Sequence, residues 1–262
     1  IWKGLVGSEM CIRDRIPFLI YSMAAIGLNI LTGYCGQVSL GTGGFMAVGA
    51  FATYKLMTIF PELNIMIIVL LSGVITALVG ILFGLPSLRI KGFYLAVATL
   101  ASQFFLIWLF NKVPWFYNYS DTGQITVSER TMFGVAVTGA NAPSYATYLF
   151  CLILVVGLGF AAKNMIRSKI GRSWMAIRDM DIAAEIIGVS PLKTKLSAFA
   201  ISSFYIGIAG SLYFAVYLGA LEVTESFDIM AISFPVLFMI IIGGLGSMPV
   251  SYTHLTLPTM DS

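Results

Sequence analysis

The sequence predicts an all-α fold: a polytopic bundle of about seven transmembrane helices, with one short helix in a cytoplasmic loop. The first observation is composition, since 58% of the 262 residues are hydrophobic and 10% are charged, whereas soluble domains carry about 25% charged residues. The second is a mean hydropathy of +0.92, and the third is the recurrence of long apolar stretches. Together they exclude an ordinary cytosolic enzyme and a disordered protein.

The apolar stretches define the predicted spans, because a helix needs about 20 apolar residues to cross roughly 30 Å of hydrocarbon. The stretch 40–58 is the least apolar, being rich in glycine and alanine, and its Gly43, Ala47 and Ala50 fall on one helix face. Such small residues let helix backbones approach closely in lipid. The predicted spans are 16–34, 40–58, 64–84, 93–110, 145–163, 196–218 and 229–246.

The basic residues predict the orientation of the chain, because cytoplasmic loops carry an excess of lysine and arginine. The loop 163–195 holds seven of the 15 basic residues, so we place it in the cytoplasm together with 85–92. Counting spans then puts the acidic loop 219–228 and the charge-balanced loop 111–144 outside. The same count puts residues 1–15 outside although they contain three basic residues, which is a conflict.

The two ends of the chain explain this conflict. GLVGSEMCIRDR (Gly4–Arg15) and PVSYTHLTLPT (Pro249–Thr259) resemble peptides translated from sequencing-adapter DNA. We therefore expect residues 1–15 and 248–262 to be artefactual, the membrane domain to occupy 16–247, and the natural protein to continue on both sides. Genuine surface tails are the alternative.

The loop 163–195 contains a predicted amphipathic helix at 173–187. Ser173 is a suitable N-cap, and Gly188 followed by Pro191 forms a stop signal. From the residues alone two interpretations stay open: the helix lies on lipid headgroups, or it docks into a groove of a cytoplasmic partner. The apolar residues with helical spacing are Trp174, Ala176, Ile177, Ala183, Ala184 and Ile187.

The chain lacks the residue patterns of several chemistries. No GxxxxGK[ST] phosphate-binding loop is present, and one histidine and three separated cysteines make no metal-ligand pattern. We therefore predict no catalytic residue, no metal site and no cofactor bound by this chain. The net charge of +3 gives no reason to expect a nucleic-acid partner. The predicted spans also have no charged residue near their centres, where ion-coupled transporters commonly place one.

Neutral polar residues could instead line a path for a small zwitterion, assisted by helix ends. The group at 29–42 is the strongest candidate because polarity and glycine-rich, irregular backbone coincide there. The alternative for each residue is a packing or helix-bonding role. The candidates are Asn29, Thr32, Gln37, Ser39, Thr42, Thr99, Gln103 and Ser202.

The loop sequence GRSWMAIRDMDIAAEIIGVSPLKTKLSAFAISSFYIGIAGSLY (Gly171–Tyr213) resembles the signature loop of the permease subunits of ABC importers. That loop has two alanines, three variable residues and a glycine, here Ala183, Ala184 and Gly188. The residues around it resemble the branched-chain amino-acid permease family, LivM type. One departure is Ile182, which stands where the general loop usually has an acidic residue.

Three further stretches resemble blocks of the same family: Gly27–Tyr54, Arg89–Ala101 and Ile240–Ser247. The resemblance covers about residues 16–247, nearly all of the chain outside its suspect ends. The second departure lies at the last block, where GGLGS runs into MPVSYTHL instead of another Gly-Pro step and more membrane segment.

The resemblance implies a permease subunit in the bacterial inner membrane that forms a pathway for branched-chain amino acids. It also implies two cytoplasmic ATPase subunits that bind the ATP, a second homologous permease subunit and an external substrate-binding protein, besides membrane lipid. Related permeases carry urea or other small polar solutes, and a stand-alone facilitator or secondary transporter is the alternative from another class. The residues to which the resemblance assigns ATPase coupling are Arg172, Ala176, Arg178, Ala183, Ala184, Glu185 and Gly188.

Overall fold

Apolar helices form most of the structure, a computed structural model that describes residues 12–87, 94–119, 124–132, 135–139, 142–222 and 226–246. This helix content confirms the predicted all-α class. Most of the predicted artefactual termini, residues 1–11 and 248–262, lies outside these ranges. The α-helices of the described residues are α1 (Arg15–Asn29), α2 (Thr42–Ile59), α3 (Ile65–Ser87), α4 (Tyr94–Lys112), α5 (Ser144–Arg167), α6 (Lys169–Asp179), α7 (Asp181–Ile186), α8 (Pro191–Leu212) and α9 (Phe234–Gly243).

Short π-helical segments adjoin three of these helices: Ile30–Tyr34 follows α1, Tyr213–Leu218 follows α8, and Ile229–Ser233 precedes α9. Two small antiparallel sheets accompany the helices. One joins β1 (Ile125–Thr126) to β4 (Ala220–Leu221), with Ile125 opposite Leu221 and Thr126 opposite Ala220. The other joins β2 (Arg130–Met132) to β3 (Val135–Thr138), with a register shift between Arg130 and Thr131.

Five helical segments of the described chain are long and apolar enough to cross a membrane, and they confirm five of the predicted spans. The predicted span 40–58 corresponds to the 18-residue α2, which is not among the five and is largely buried among other helices. The span 229–246 was predicted too long, since the apolar helix covers Ile229–Gly243. The five are Arg15–Tyr34, Ile65–Pro86, Leu95–Lys112, Ser144–Arg167 and Pro191–Leu218.

The bundle has two distinct ends. At one end, which we call the basic end, Nη1 of Arg178 donates to the Gly33 carbonyl (2.9 Å) and the Gly246 amide donates to Asn29 Oδ1 (3.0 Å). At the opposite end, the Val127 amide donates to the Gly219 carbonyl (2.8 Å). Residues 124–132 and 219–222 therefore lie together, opposite the loop 163–195, as the span count predicts. Arg89 and Lys91 of the 85–92 loop lie outside the described residues.

The helix in the 163–195 loop was predicted as one unit over 173–187, and this prediction was wrong. The chain breaks at Met180, whose φ of −154° and ψ of 102° are extended, and α6 and α7 lie on either side. Asp181 favours a new helix start because a carboxylate stabilises the positive end of the helix dipole.

The N-terminus of α6 differs from the predicted start of the loop helix, whereas the C-terminus of α7 agrees with its predicted end. Ser168, not Ser173, is the N-cap, since its hydroxyl accepts from the Ile170 amide (3.3 Å). At the other end Gly188 has a φ of +89°, as predicted. The amides of Gly188 and Val189 donate to the carbonyls of Glu185 and Ala184 (both 3.0 Å), which makes a Schellman stop.

Helix α8 packs against α1, α2 and α3, and its contact with α2 is made backbone to backbone. A Cβ added at Gly49 would overlap the Gly207 carbonyl, and one at Gly210 would overlap the Met46 carbonyl. Because backbone atoms cannot move aside as a flexible side chain can, glycine is required at this crossing.

This crossing predicts unequal effects for two glycine substitutions. Gly49→Ala should destabilise the fold by about 1–3 kcal/mol, the typical cost of overpacking. Gly157→Ala on α5 is the matched control, because no heavy atom lies within 4 Å of its added Cβ, and alanine is the better helix former. Thermal denaturation of the detergent-purified protein measures both, and equal stability of the two variants would contradict the crossing.

Candidate functional site

The segment 36–41 is non-helical and leads from the basic end into the interior of the bundle. Gly36 lies at that end, where an added Cβ would be 2.9 Å from Arg178 Cγ. Six residues can span up to about 20 Å, and α2 then begins at Thr42 beside Gln103, the middle residue of α4. The N-terminus of α2 therefore lies about halfway along the bundle.

A buried polar chain surrounds this helix start. The Gly43 amide donates to Ser233 Oγ (2.9 Å), and the Ser233 hydroxyl donates to Gln103 Oε1 (2.7 Å). Nε2 of Gln103 also donates to the Phe227 carbonyl (3.4 Å). Ser233 was not among the predicted site residues, although it is a lone hydroxyl within the apolar stretch 229–246.

Three of the predicted pathway residues have a buried side-chain oxygen without a hydrogen-bond partner among the described residues: Gln37 Oε1, Thr42 Oγ1 and Ser202 Oγ. A buried polar atom left unpaired costs about 1–3 kcal/mol. Such atoms mark positions where water or a bound solute could complete the bonding. Thr42 lies at the start of α2, and Gln37 lies in the non-helical segment that precedes it.

The other predicted pathway residues are bonded to backbone. Thr99 Oγ1 accepts from the Leu40 amide (3.0 Å) and donates to the Ala96 carbonyl (2.9 Å). Ser39 Oγ accepts from the Gly41 amide (3.4 Å), and Thr32 donates to the Leu28 carbonyl (2.7 Å).

The structure brings only part of the predicted set together. Thr99 and Gln103 of α4 lie beside the non-helical segment and the start of α2. Asn29 bonds to Gly246 at the basic end, whereas Ser202 lies on α8, where its carbonyl faces Gly27 of α1.

The loop 163–195 is fixed to the bundle by α6 and α7. Trp174 is fully buried and its Nε1 donates to Ser197 Oγ of α8 (3.0 Å). Lys195 of α8 forms an ion pair with Asp181 of α7. These contacts connect the loop to the N-terminal part of α8.

The guanidinium of Arg178 contacts the bundle, although 39% of the side chain is exposed. Its Nη1 donates to the carbonyl of Gly33, in the π-helical segment that follows α1, and Nε pairs with Asp179 (3.0 Å). Added Cβ atoms at Gly36 and Gly246 would lie 2.9 Å from Arg178 Cγ and 3.3 Å from its Nη1, so both glycines leave room for this side chain. We call this arrangement the arginine contact.

Of the predicted coupling residues, Arg172, Arg178, Ala183, Glu185 and Gly188 are exposed. Ala176 is half-buried and Ala184 is buried against the bundle.

Four large apolar residues at 180–187 are the most exposed apolar residues of this loop, and we call them the loop ridge. Only Ile187 of these was among the apolar positions predicted from helical spacing, because the break at Met180 changes which side of the chain faces outward. Large apolar side chains on a polar loop indicate an interaction surface. The exposed fractions are 70% for Met180, 76% for Ile182, 82% for Ile186 and 74% for Ile187.

Comparison with known proteins identifies the family. The pattern of the family described as the branched-chain amino acid transport system permease component matches residues 16–252. The high-affinity branched-chain amino acid transport system permease proteins LivM of Salmonella typhimurium and of Escherichia coli are each 33% identical to this chain over 249 residues, 87% of the chain and 57% of their own length. The chain thus spans little more than half the length of these relatives.

No solved structure matches the chain significantly. Because the family pattern covers most of the sequence, the chain belongs to the branched-chain amino-acid transport permease family.

Proposed function

We propose that the chain is the membrane-spanning permease subunit of a bacterial ABC importer for branched-chain amino acids, located in the inner membrane. The observation that carries this proposal is the loop ridge, which exposes four large apolar side chains at the basic end of a multi-pass membrane bundle. Family membership supports the same function. The family consists of transport permeases, in agreement with the prediction that the chain is not an enzyme.

The loop ridge is suited to docking a cytoplasmic ATPase subunit. When a partner's groove covers apolar side chains that were exposed to water, the free energy falls by about 25 cal/mol for each Å² of apolar surface buried. In the proposed assembly, ATP is bound by two such subunits, a second homologous permease completes the pathway, and an external binding protein delivers the solute. The ATPase subunits then supply the energy that the permease itself has no site to generate.

The arginine contact connects the ridge to the ends of the membrane helices. Arg178 precedes the ridge by two residues and bonds to the π-helical segment that follows α1, beside Gly246, which lies three residues beyond α9. Trp174 connects the same loop to α8. A displacement of the ridge by closing ATPase subunits would therefore be transmitted to three helices, and we infer that this switches the pathway between its two open states.

The proposed pathway passes the start of α2. An amino acid is a zwitterion, and the positive end of a helix dipole favours its carboxylate without a buried lysine or arginine. Thr42 Oγ1 and Gln37 Oε1, both buried and without a hydrogen-bond partner in the described part of the chain, are available for its polar groups. Ser39, Thr99 and Gln103 then hold the backbone around this point.

A stand-alone facilitator and a permease for urea or another small polar solute are the alternative functions. The loop ridge favours the assembly over the facilitator, because a lone permease needs no apolar surface in the cytoplasm. Within the assembly, leucine and urea differ in charge distribution, and only leucine presents a carboxylate to the start of α2.

Reconstitution tests the proposed function. The full-length protein with its ATPase subunits, second permease and binding protein should take up leucine rather than urea into proteoliposomes, and only with ATP. Ile186→Asp should abolish uptake and co-purification of the ATPase subunits, because it places a charge in the docking surface. Val135→Asp, an equal change at the opposite end, is the control. Uptake without ATPase subunits, or an Ile186→Asp variant that still binds them, would reject the proposal.

The arginine contact predicts an uncoupled variant. Arg178→Ala removes the bond to Gly33 but leaves the ridge, so the ATPase subunits should still co-purify while the uptake per ATP hydrolysed falls about tenfold, the effect of losing one charge-assisted bond. Asp179→Ala is the control, since it removes the ion pair and keeps the bond to Gly33. Unchanged coupling in Arg178→Ala would assign this side chain to packing alone.

Thr42→Val separates a pathway role from a packing role. Replacing an unpartnered buried hydroxyl by a methyl group should leave the fold equally or more stable, while leucine uptake falls about tenfold through loss of a solute contact. Thr53→Val is the matched control on the same helix, because Thr53 Oγ1 donates to the Gly49 carbonyl (2.9 Å). Thermal stability and initial uptake rates measure the two effects. Equal uptake by both variants would exclude Thr42 from the pathway.

A further inference from the structure

A long groove lies between α1 and α5 on the outer surface of the bundle. Its volume is about 780 Å³, and most of its wall is apolar, including Phe18 of α1 and Leu152, Val156 and Phe160 of α5. Where the groove reaches the basic end of the bundle it is polar, and it is lined there by Tyr34, Lys163 and Arg167. The groove is separate from the segment 36–41 and from the loop ridge.

The groove runs along the membrane normal. Leu152, Val156, Phe160, Lys163 and Arg167 follow one another three or four residues apart, so they form one stripe of α5. From Leu152 to Arg167 a helix rises about 22 Å. The stripe is apolar over its first two-thirds and basic at its last turn, which is also the basic end of the bundle.

The two cations at the end of the groove have no acidic partner among the described residues, where the ion pairs are Arg178 with Asp179 and Lys195 with Asp181. Lys163 and Arg167 are exposed at the level where α5 leaves the membrane. The phenol of Tyr34 lines the same end and adds a hydroxyl. This end therefore offers two positive charges and a hydrogen-bond donor to an anion.

We propose that this groove is a binding site for an anionic phospholipid of the cytoplasmic leaflet. One acyl chain lies along the apolar wall, whose length matches that of a leaflet, about half of the roughly 30 Å hydrocarbon core. The headgroup phosphate lies against Lys163 and Arg167. A transmembrane helix, of another subunit or of a part of the natural protein outside this sequence, would fill the apolar part but would leave both cations to find acidic partners, whereas a phospholipid supplies the chain and the charge in one molecule.

Native mass spectrometry of the full chain tests the site. The detergent-purified protein is incubated with equal amounts of phosphatidylglycerol and phosphatidylcholine that carry the same acyl chains. The wild type should retain phosphatidylglycerol on the order of tenfold better, from two basic side chains near the headgroup. Lys163→Gln/Arg167→Gln should retain both lipids equally. Lys169→Gln/Lys193→Gln, with the same loss of charge on exposed residues of the same loop, should behave as the wild type.

A second variant keeps the charges and fills the groove. Gly159 lines it, so Gly159→Leu should lose the retained phosphatidylglycerol while Lys163 and Arg167 remain. Gel filtration shows that each variant is folded. Equal retention of both lipids by the wild type, unchanged retention in the groove variants, or a helix of another subunit seated in the groove of the assembled protein would each overturn the proposal. Lipid retention is measured without transport, so it is independent of the proposed transport function.

Discussion

The structure depends on one constraint: backbone that is not helical must still be hydrogen-bonded when it lies inside an apolar bundle. The segment 36–41 meets it with donors and acceptors from several elements. The Gln37 amide donates to the Leu31 carbonyl (3.0 Å), and the Leu40 amide donates to Thr99 (3.0 Å). The Gly43 amide, at the start of α2, uses Ser233 (2.9 Å). The polar residues of α4 and of the segment before α9 therefore hydrogen-bond to the non-helical segment and to the start of α2, and α2 can begin in the middle of the bundle.

Helix α8 connects this interior to the loop. Its glycines contact α2 backbone to backbone, a little beyond the start of α2. Near its N-terminus, Ser197 bonds to Trp174 of the loop and Lys195 pairs with Asp181. A close-packed crossing of two backbones transmits a displacement because neither side can yield. On the proposed function, motion at the loop reaches the start of α2 through α8, and it reaches α1 and α9 through Arg178. Both routes begin within the same few residues of the loop.

Much of this arrangement follows from the sequence, because apolar length, basic loops and glycine-rich breaks each have a direct physical meaning. The five confirmed spans and the two groups of loops at opposite ends rest on hydropathy and charge. The break at Met180 could not be predicted, since the apolar spacing fits one helix and the break is set by docking of Trp174 and pairing of Asp181 with Lys195. The direction of Arg178 was hidden as well, because a basic residue in a cytoplasmic loop is ordinarily solvated. The space that the Arg178 side chain occupies forms only in the folded chain, where Gly36 and Gly246, which are far apart in sequence, lie close together.

The hydrogen-bonding side chains of the proposed pathway are consistent with the position of the loop ridge. A transporter that uses an ion gradient needs ionisable groups or ion ligands at the depth of its binding site, and the side chains that hydrogen-bond at the start of α2, those of Thr99, Gln103 and Ser233, are an amide and hydroxyls. On the proposed function, energy enters from elsewhere, as a mechanical displacement. The loop that carries the loop ridge is also the loop that Arg178, Trp174 and Asp181 connect to the membrane helices. The proposed docking surface and the contacts to the helices therefore occupy one loop, which is the arrangement that the proposed coupling to a separate ATPase requires.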